Sequence, residues 1–130
     1  MPKGLLELEF IGTIQAGWPS PAEEETVDLM RLDEWLIRNR DATYLIKVHG
    51  PSMNGAGIMP GDAVLVDRSL TAVDGDIVIA EIDGAFTMKY LRKKGDRVWL
   101  EAANPKFPPI YPKQELVITA VVIANLRKYK

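Results

Sequence analysis

Short apolar runs alternate along the whole chain with breaks rich in glycine, proline and charge, a pattern of many short strands and little helix. Leu5 to Ile14 reads as a strand or extended arm, with Leu6, Leu8, Phe10 and Gly12 on one face. Gly17 to Glu25 combines two prolines, a glycine and an acidic run, and is expected to be an exposed, protease-accessible linker. Thr26 to Leu32 extends briefly. Leu32, Trp35, Leu36 and Ile37 then recur at helical spacing with Asp33 and Glu34 suited to a first turn, so one short helix is predicted. Ala42 to His49 is rich in residues that fit a pleated surface and delivers the chain to Gly50.

Turns follow at Asn54-Gly55-Ala56-Gly57 and Pro60-Gly61-Asp62, with Ala63 to Val66 and Ile77 to Ile82 as short apolar strands. Asp83-Gly84 joins Ile77–Ile82 to Ala85–Leu91. Two apolar runs linked by Asp-Gly are the strongest hairpin signal in the chain. Lys93-Lys94-Gly95-Asp96 closes the next turn and Arg97 to Ala102 is another strand. Asn104 to Pro112 carries Pro105, Pro108, Pro109 and Pro112 and reads as an extended, edge-like loop, and Leu116 to Leu126 is a long closing strand. The fold class is therefore mainly β: many short strands, barrel-like or a folded sheet, with one short helix and an extended N-terminal arm.

Composition narrows the function. A chain of 130 residues, 47% apolar, is large enough for one compact domain with its own core. It has no cysteine and one histidine, His49, so no disulfide framework, no metal site of the Cys or His type and no cofactor is expected. No apolar run approaches the roughly 20 residues of a transmembrane helix, and the N-terminus lacks the features of a signal peptide, so a cytoplasmic protein without membrane attachment is expected. A net charge of −2 with interspersed signs gives no general affinity for phosphate backbones, and no direct sequence-specific DNA binding is expected.

The candidate chemistry is a Ser-Lys dyad. Gly50-Pro51-Ser52-Met53 puts a hydroxyl on a tight turn after a strand, and Lys89 lies between Met88 and Tyr90, facing opposite to both, where it points into a cleft. Serine needs a base to take its proton, and a lysine serves only if burial lowers its pKa. Taken alone, a serine between glycine and proline commonly just makes a turn, and a lysine on a two-faced strand commonly faces solvent. Thr87, on the same face as Lys89, either hydrogen-bonds the lysine or simply expresses β propensity. His49 lies three residues before Ser52 with no carboxylate placed to orient it, which argues against a Ser-His pair.

These motifs resemble the self-cleaving Ser-Lys peptidase family typified by LexA and UmuD, over nearly the whole chain. Ala16-Gly17 is similar to the family's cleavage bond, Gly50-x-Ser52-Met53 to its nucleophile turn, and Thr87-x-Lys89-x-Leu91 to its lysine strand. Pro60-Gly61-Asp62, Asp74-Gly75-Asp76-Ile77-Val78, and Asn104-Pro105 leading into Pro108-Pro109-Ile110 are similar to further family segments. The stretch before Gly17 is too short for a helix-turn-helix domain, and Gly17 to Pro21 resembles the UmuD branch rather than the repressors.

The resemblance implies an arm, residues 1–16, removed by self-cleavage, a linker over 17–25 and a peptidase-like β domain over 26–130. Ser52 and Lys89 are then catalytic, with Gly50, Met53 and Thr87 holding the oxyanion or supporting the site. It also implies a bacterial cytoplasmic homodimer of the SOS response to DNA damage, with a RecA filament on single-stranded DNA as co-protease. The trimmed dimer would join a UmuC-type polymerase subunit in translesion synthesis. Pro51 departs from what such a site needs, since it has no N–H to offer the oxyanion. The rival readings are a non-catalytic β interaction module, in which Ser52 and Lys89 are structural, and a membrane signal peptidase, against which the missing anchor speaks.

Overall fold

The computed structural model describes residues 7–14, 16–17, 23–113 and 115–130. Leu5 and Leu6 of the expected arm and Trp18 to Ala22 of the expected linker lie outside the described residues. Where one compact domain was expected, the chain divides into two compact units, one ending at Arg38 and the other running from Asn39 to Lys130.

In the first unit, β1 (Glu7–Thr13) pairs antiparallel with β2 (Glu23–Arg31), with a bulge between Phe10 and Gly12. Glu7–Thr13 of the expected arm is thus one strand of a two-stranded sheet. Glu23 to Glu25, read from their acidity as linker, open β2 instead: Glu24 pairs with Gly12 and Glu23 with Thr13, and the ladder decides their backbone. Helix α1 (Leu32–Leu36) follows directly, with Asp33 and Glu34 in its first turn. Arg31 lies beside it and its guanidinium donates to the Asp33 carboxylate at 3.0 Å.

The second unit is a six-stranded sheet of β3 (Thr43–Lys47), β4 (Ala63–Asp67), β5 (Ile77–Ile82), β6 (Ala85–Lys94), β7 (Arg97–Glu101) and β8 (Leu116–Leu126), in the order β3-β4-β8-β5-β6-β7. Each pair of neighbouring strands is antiparallel, and among the described residues neither sheet closes into a barrel. The folded-sheet alternative is therefore the one found. The long apolar run of β8 fits its place between β4 and β5, where strands lie on both of its sides; it does not close an edge.

Asp83-Gly84 forms the expected two-residue hairpin: both residues have positive φ, 49° and 89°, and Ile82 pairs with Ala85 across it. Two apolar clusters make the core, one around Val48, Met53, Ile58, Val64, Val66 and Ala120, the other around Val78, Ala80, Leu91 and Leu100. Leu100 and Ile110 exchange backbone hydrogen bonds, so the proline-rich loop after β7 folds back onto that edge strand. No helix among the described residues is long and apolar enough to cross a membrane.

Candidate active site

Two different parts of the second unit bring the candidate residues together. Gly50, at φ +83°, turns the chain out of β3 in a left-handed conformation that an L side chain would strain. Val48 before the turn and Met53 and Ile58 after it are all in one core cluster, and Met53 is only 1% exposed. The Ser52 turn is thus anchored at both ends by buried apolar groups. The Asn54 N–H donates to the Pro51 carbonyl at 3.1 Å and the Ala56 N–H to the Met53 carbonyl at 3.0 Å, winding the chain into a 3-10 turn at Asn54–Ala56.

Lys89 comes from β6. Its register is set by the hairpin, with Lys89 opposite Val78 and Thr87 opposite Ala80. The Asp74-Gly75-Asp76 turn clamps the same strand: the Gly75 N–H donates to the Leu91 carbonyl at 2.8 Å and the Leu91 N–H to the Asp76 carbonyl at 2.8 Å.

The Lys89 Nζ lies 3.0 Å from Ser52 Oγ, 2.7 Å from Thr87 Oγ1 and 3.2 Å from the Met88 carbonyl oxygen. Lys89 is 7% exposed, and burial pushes its pKa below the ordinary lysine value. No carboxylate is among its hydrogen-bond partners to hold the ammonium. Three oxygens around the nitrogen also match the inventory of the neutral amine. The same three oxygens fit the three N–H donors of an ammonium; in the neutral form two N–H groups donate to Thr87 Oγ1 and the Met88 carbonyl, and the lone pair is open to the Ser52 hydroxyl. Thr87, open between two roles in the sequence, is a hydrogen-bond partner of the lysine.

An apolar cleft of about 980 Å³ is lined among others by Tyr44, Ile46, His49, Phe86, Thr87 and Met88; Thr87, the partner of Lys89, reaches it, whereas Ser52 and Lys89 do not line it. His49 is exposed there and is not a partner of Ser52. Ala16 and Gly17 lie in a bend after β1 and belong to the first unit, whereas the Ser52–Lys89 pair belongs to the second. Among the described residues no cluster of His, Cys, Asp or Glu is arranged to hold a metal.

Three features around the turn carry no strong local signal. Asp62, 3% exposed, accepts the Arg127 guanidinium at two points, 2.7 Å each, together with the Asn125 amide and the Met59 N–H. The Arg127 contact and then the Met59 N–H hold its carboxyl well below the usual carboxylate range. Pro60-Gly61-Asp62 is legible as a turn, but its partner Arg127 is 65 residues away. Asn104 is the second, reaching the Pro51 carbonyl at 3.0 Å.

Gly55 is the third. Its N–H donates to the Ala103 carbonyl at 2.6 Å, and a Cβ at this position would lie 2.4 Å from that same oxygen. Glycine is needed here for close approach rather than for φ. Gly55→Ala is expected to push the serine turn off the Ala103 loop and lower stability by about 1–3 kcal/mol, read in urea denaturation; an unchanged midpoint would mean the two loops do not depend on this contact.

The Peptidase S24-like family matches residues 9–123. The chain is 38% identical over 128 residues to the LexA repressor of Anaeromyxobacter dehalogenans (strain 2CP-1), covering 95% of this chain and 56% of that protein. It is 40% identical over 125 residues to the LexA repressor of Acidithiobacillus ferrooxidans (strain ATCC 53993), covering 92% and 60%. With Protein SamA of Salmonella typhimurium it shares 42% identity over 119 residues, covering 92% of this chain and 84% of that one. The chain thus spans little more than half the length of these repressors.

Proposed function

The chain belongs to the Peptidase S24-like family, and from that premise we propose that it is a serine peptidase that cuts itself between Ala16 and Gly17 with Ser52 as nucleophile and Lys89 as base. The observation that carries this reading is a buried Lys89 amine 3.0 Å from the Ser52 hydroxyl. Neutral Lys89 takes the hydroxyl proton as Ser52 Oγ bonds to the Ala16 carbonyl carbon. The same proton passes to the Gly17 nitrogen as the peptide bond breaks, leaving residues 1–16 as an ester on Ser52. Water, deprotonated by Lys89, then attacks the ester and releases the arm. Thr87 holds the amine in place throughout, while Gly50 and Met53 hold the turn. The apolar cleft beside Thr87 and Met88 suits an extended peptide.

The resemblance extends the proposal to the UmuD branch of the family. On that reading the chain is a cytoplasmic homodimer of the SOS response, cut when a RecA filament on single-stranded DNA stimulates it. The trimmed dimer then joins a UmuC-type polymerase subunit in translesion synthesis. Family membership supports the reaction; the partners rest on the resemblance alone.

The pH dependence tests the base. Because burial lowers the Lys89 pKa from 10.5, the neutral fraction grows as pH rises and saturates at a pH below that value. Self-cleavage is therefore expected to accelerate about tenfold per pH unit and level off below pH 10.5. Stability follows with the same sign: the buried ammonium is a cost below the folded pKa. That cost is relieved as pH rises from the folded value towards 10.5, because there the unfolded chain binds the extra proton. A rate of arm release, followed by mass, that is flat or falls with pH would remove Lys89 as the base.

A further inference from the structure

Resting on the reading above, we infer that Asn104 is a positioning residue for the cleavage reaction: by holding the Pro51 carbonyl, it aims the Ser52 N–H at the developing oxyanion.

The argument starts from what Pro51 removes. In a serine peptidase the oxyanion needs N–H donors at the nucleophile turn, and residue 51 has none. The Ser52 N–H must carry more of that load. Among the described residues it donates to no carbonyl or side chain, so it is available, but nothing grips it directly either.

Its direction is fixed from the other end of the same peptide unit. The Pro51–Ser52 peptide is planar and trans, so the Pro51 C=O and the Ser52 N–H point in opposite directions, and holding one aims the other. Two donors hold that carbonyl: the Asn54 N–H at 3.1 Å, within the turn itself, and Asn104 Nδ2 at 3.0 Å, from a loop 53 residues away.

The Asn104 amide can face only one way. Its Oδ1 accepts the Lys106 N–H at 3.0 Å while Nδ2 meets a carbonyl, so flipping it would set donor against donor and acceptor against acceptor. The loop that carries it is itself fixed. The Phe107 N–H donates to the Asn104 carbonyl at 3.0 Å, Ile110 is bonded to Leu100 of β7, and the Gly55 N–H ties Ala103 to the far side of the serine turn. Asn104 therefore reaches the turn from a rigid edge of the sheet, independently of the Ser52–Lys89 contact.

The test compares Asn104→Asp with Asn104→Ala in the full chain. The aspartate keeps an oxygen for the Lys106 N–H, loses the donor to Pro51 and sets a negative charge against that carbonyl; the alanine loses both contacts and adds no charge. If aiming the Ser52 N–H is what matters, both variants lower the high-pH plateau of self-cleavage about 10- to 100-fold, and the alanine, which adds no charge, leaves the pH midpoint that Lys89 sets in place. A purely structural role would instead slow the alanine variant and spare the aspartate, or shift the midpoint of the alanine variant as Lys89 loses burial; either result overturns the inference.

A second readout does not depend on cutting. In the isotope-labelled full chain, Asn104→Asp should move the Pro51 carbonyl carbon and the Ser52 amide nitrogen signals, and unmoved signals overturn the clamp. If the wild-type chain never cuts while these signals shift, the proposed function fails and the clamp stands; if it cuts and Asn104→Asp cuts at the same plateau, the positioning role fails and the proposed function stands.

Discussion

Ser52→Ala and Lys89→Ala are each expected to reduce cleavage at Ala16–Gly17 by about 10⁴-fold or more, with the double variant no slower than either single one. Nucleophile and base act as one unit. Without Ser52 Oγ there is no atom for Lys89 to deprotonate, and without the Lys89 lone pair the hydroxyl 3.0 Å away stays a poor nucleophile. The fold should survive both changes, because Ser52 sits on a turn anchored by Val48, Met53 and Ile58, and because a buried lysine stabilises a fold poorly. Lys89→Met, which keeps the length of the side chain without the amine, should match Lys89→Ala in rate while filling its space. A double variant far slower than either single one, or a single variant cutting at the wild-type rate, would dissolve the dyad.

Pro51→Ala has the next largest expected effect, and in the opposite direction. It supplies an N–H beside the nucleophile where the chain now has none, and one oxyanion donor is typically worth about 10² to 10³ in rate. Part of this gain is offset, since proline stiffens the turn in which Ser52 is held. A net acceleration of about tenfold or more is expected. It should appear in the plateau of the pH profile and leave the midpoint in place, because the Lys89 amine makes its hydrogen bonds to Ser52, Thr87 and Met88 and the substitution adds no charge. A variant that cuts at the wild-type rate or slower, with its Ser52 signals unmoved, would show that Pro51 is not a brake on the reaction.

What could be read in the sequence is what local chemistry dictates. Asp83-Gly84 has few conformations open to it other than a hairpin, and the hairpin places Lys89 on the second strand. Gly50 similarly marks the Ser52 turn as a tight one after a strand, whereas the burial of Met53 that anchors it had no local signal. The sheet order was not legible, because nothing local to Leu116–Leu126 says that it inserts between β4 and β5 rather than closing the end of the sheet.

The same holds for the groups that grip the turn. Asn104 meets Pro51 across 53 residues and Arg127 meets Asp62 across 65, and neither asparagine nor arginine carries a pattern that names its partner. Glu23 to Glu25 failed in the other direction. Their local composition favours a solvated loop, but pairing with β1 supplies backbone hydrogen bonds that composition cannot reveal. The division at Arg38 had no signal either, since the chain passes from α1 to β3 through Asn39 without a proline- or glycine-rich break.

The central claim is that this chain cuts its own Ala16–Gly17 bond with Ser52. Intact-mass measurement of the purified chain, incubated at increasing pH beside Ser52→Ala, tests it most directly. The account predicts that the wild-type mass is replaced by a 1–16 fragment and a chain beginning at Gly17, faster at higher pH, while Ser52→Ala keeps its full mass. A wild-type chain that stays whole across the range, or a Ser52→Ala chain that is cut at the same bond, would contradict it.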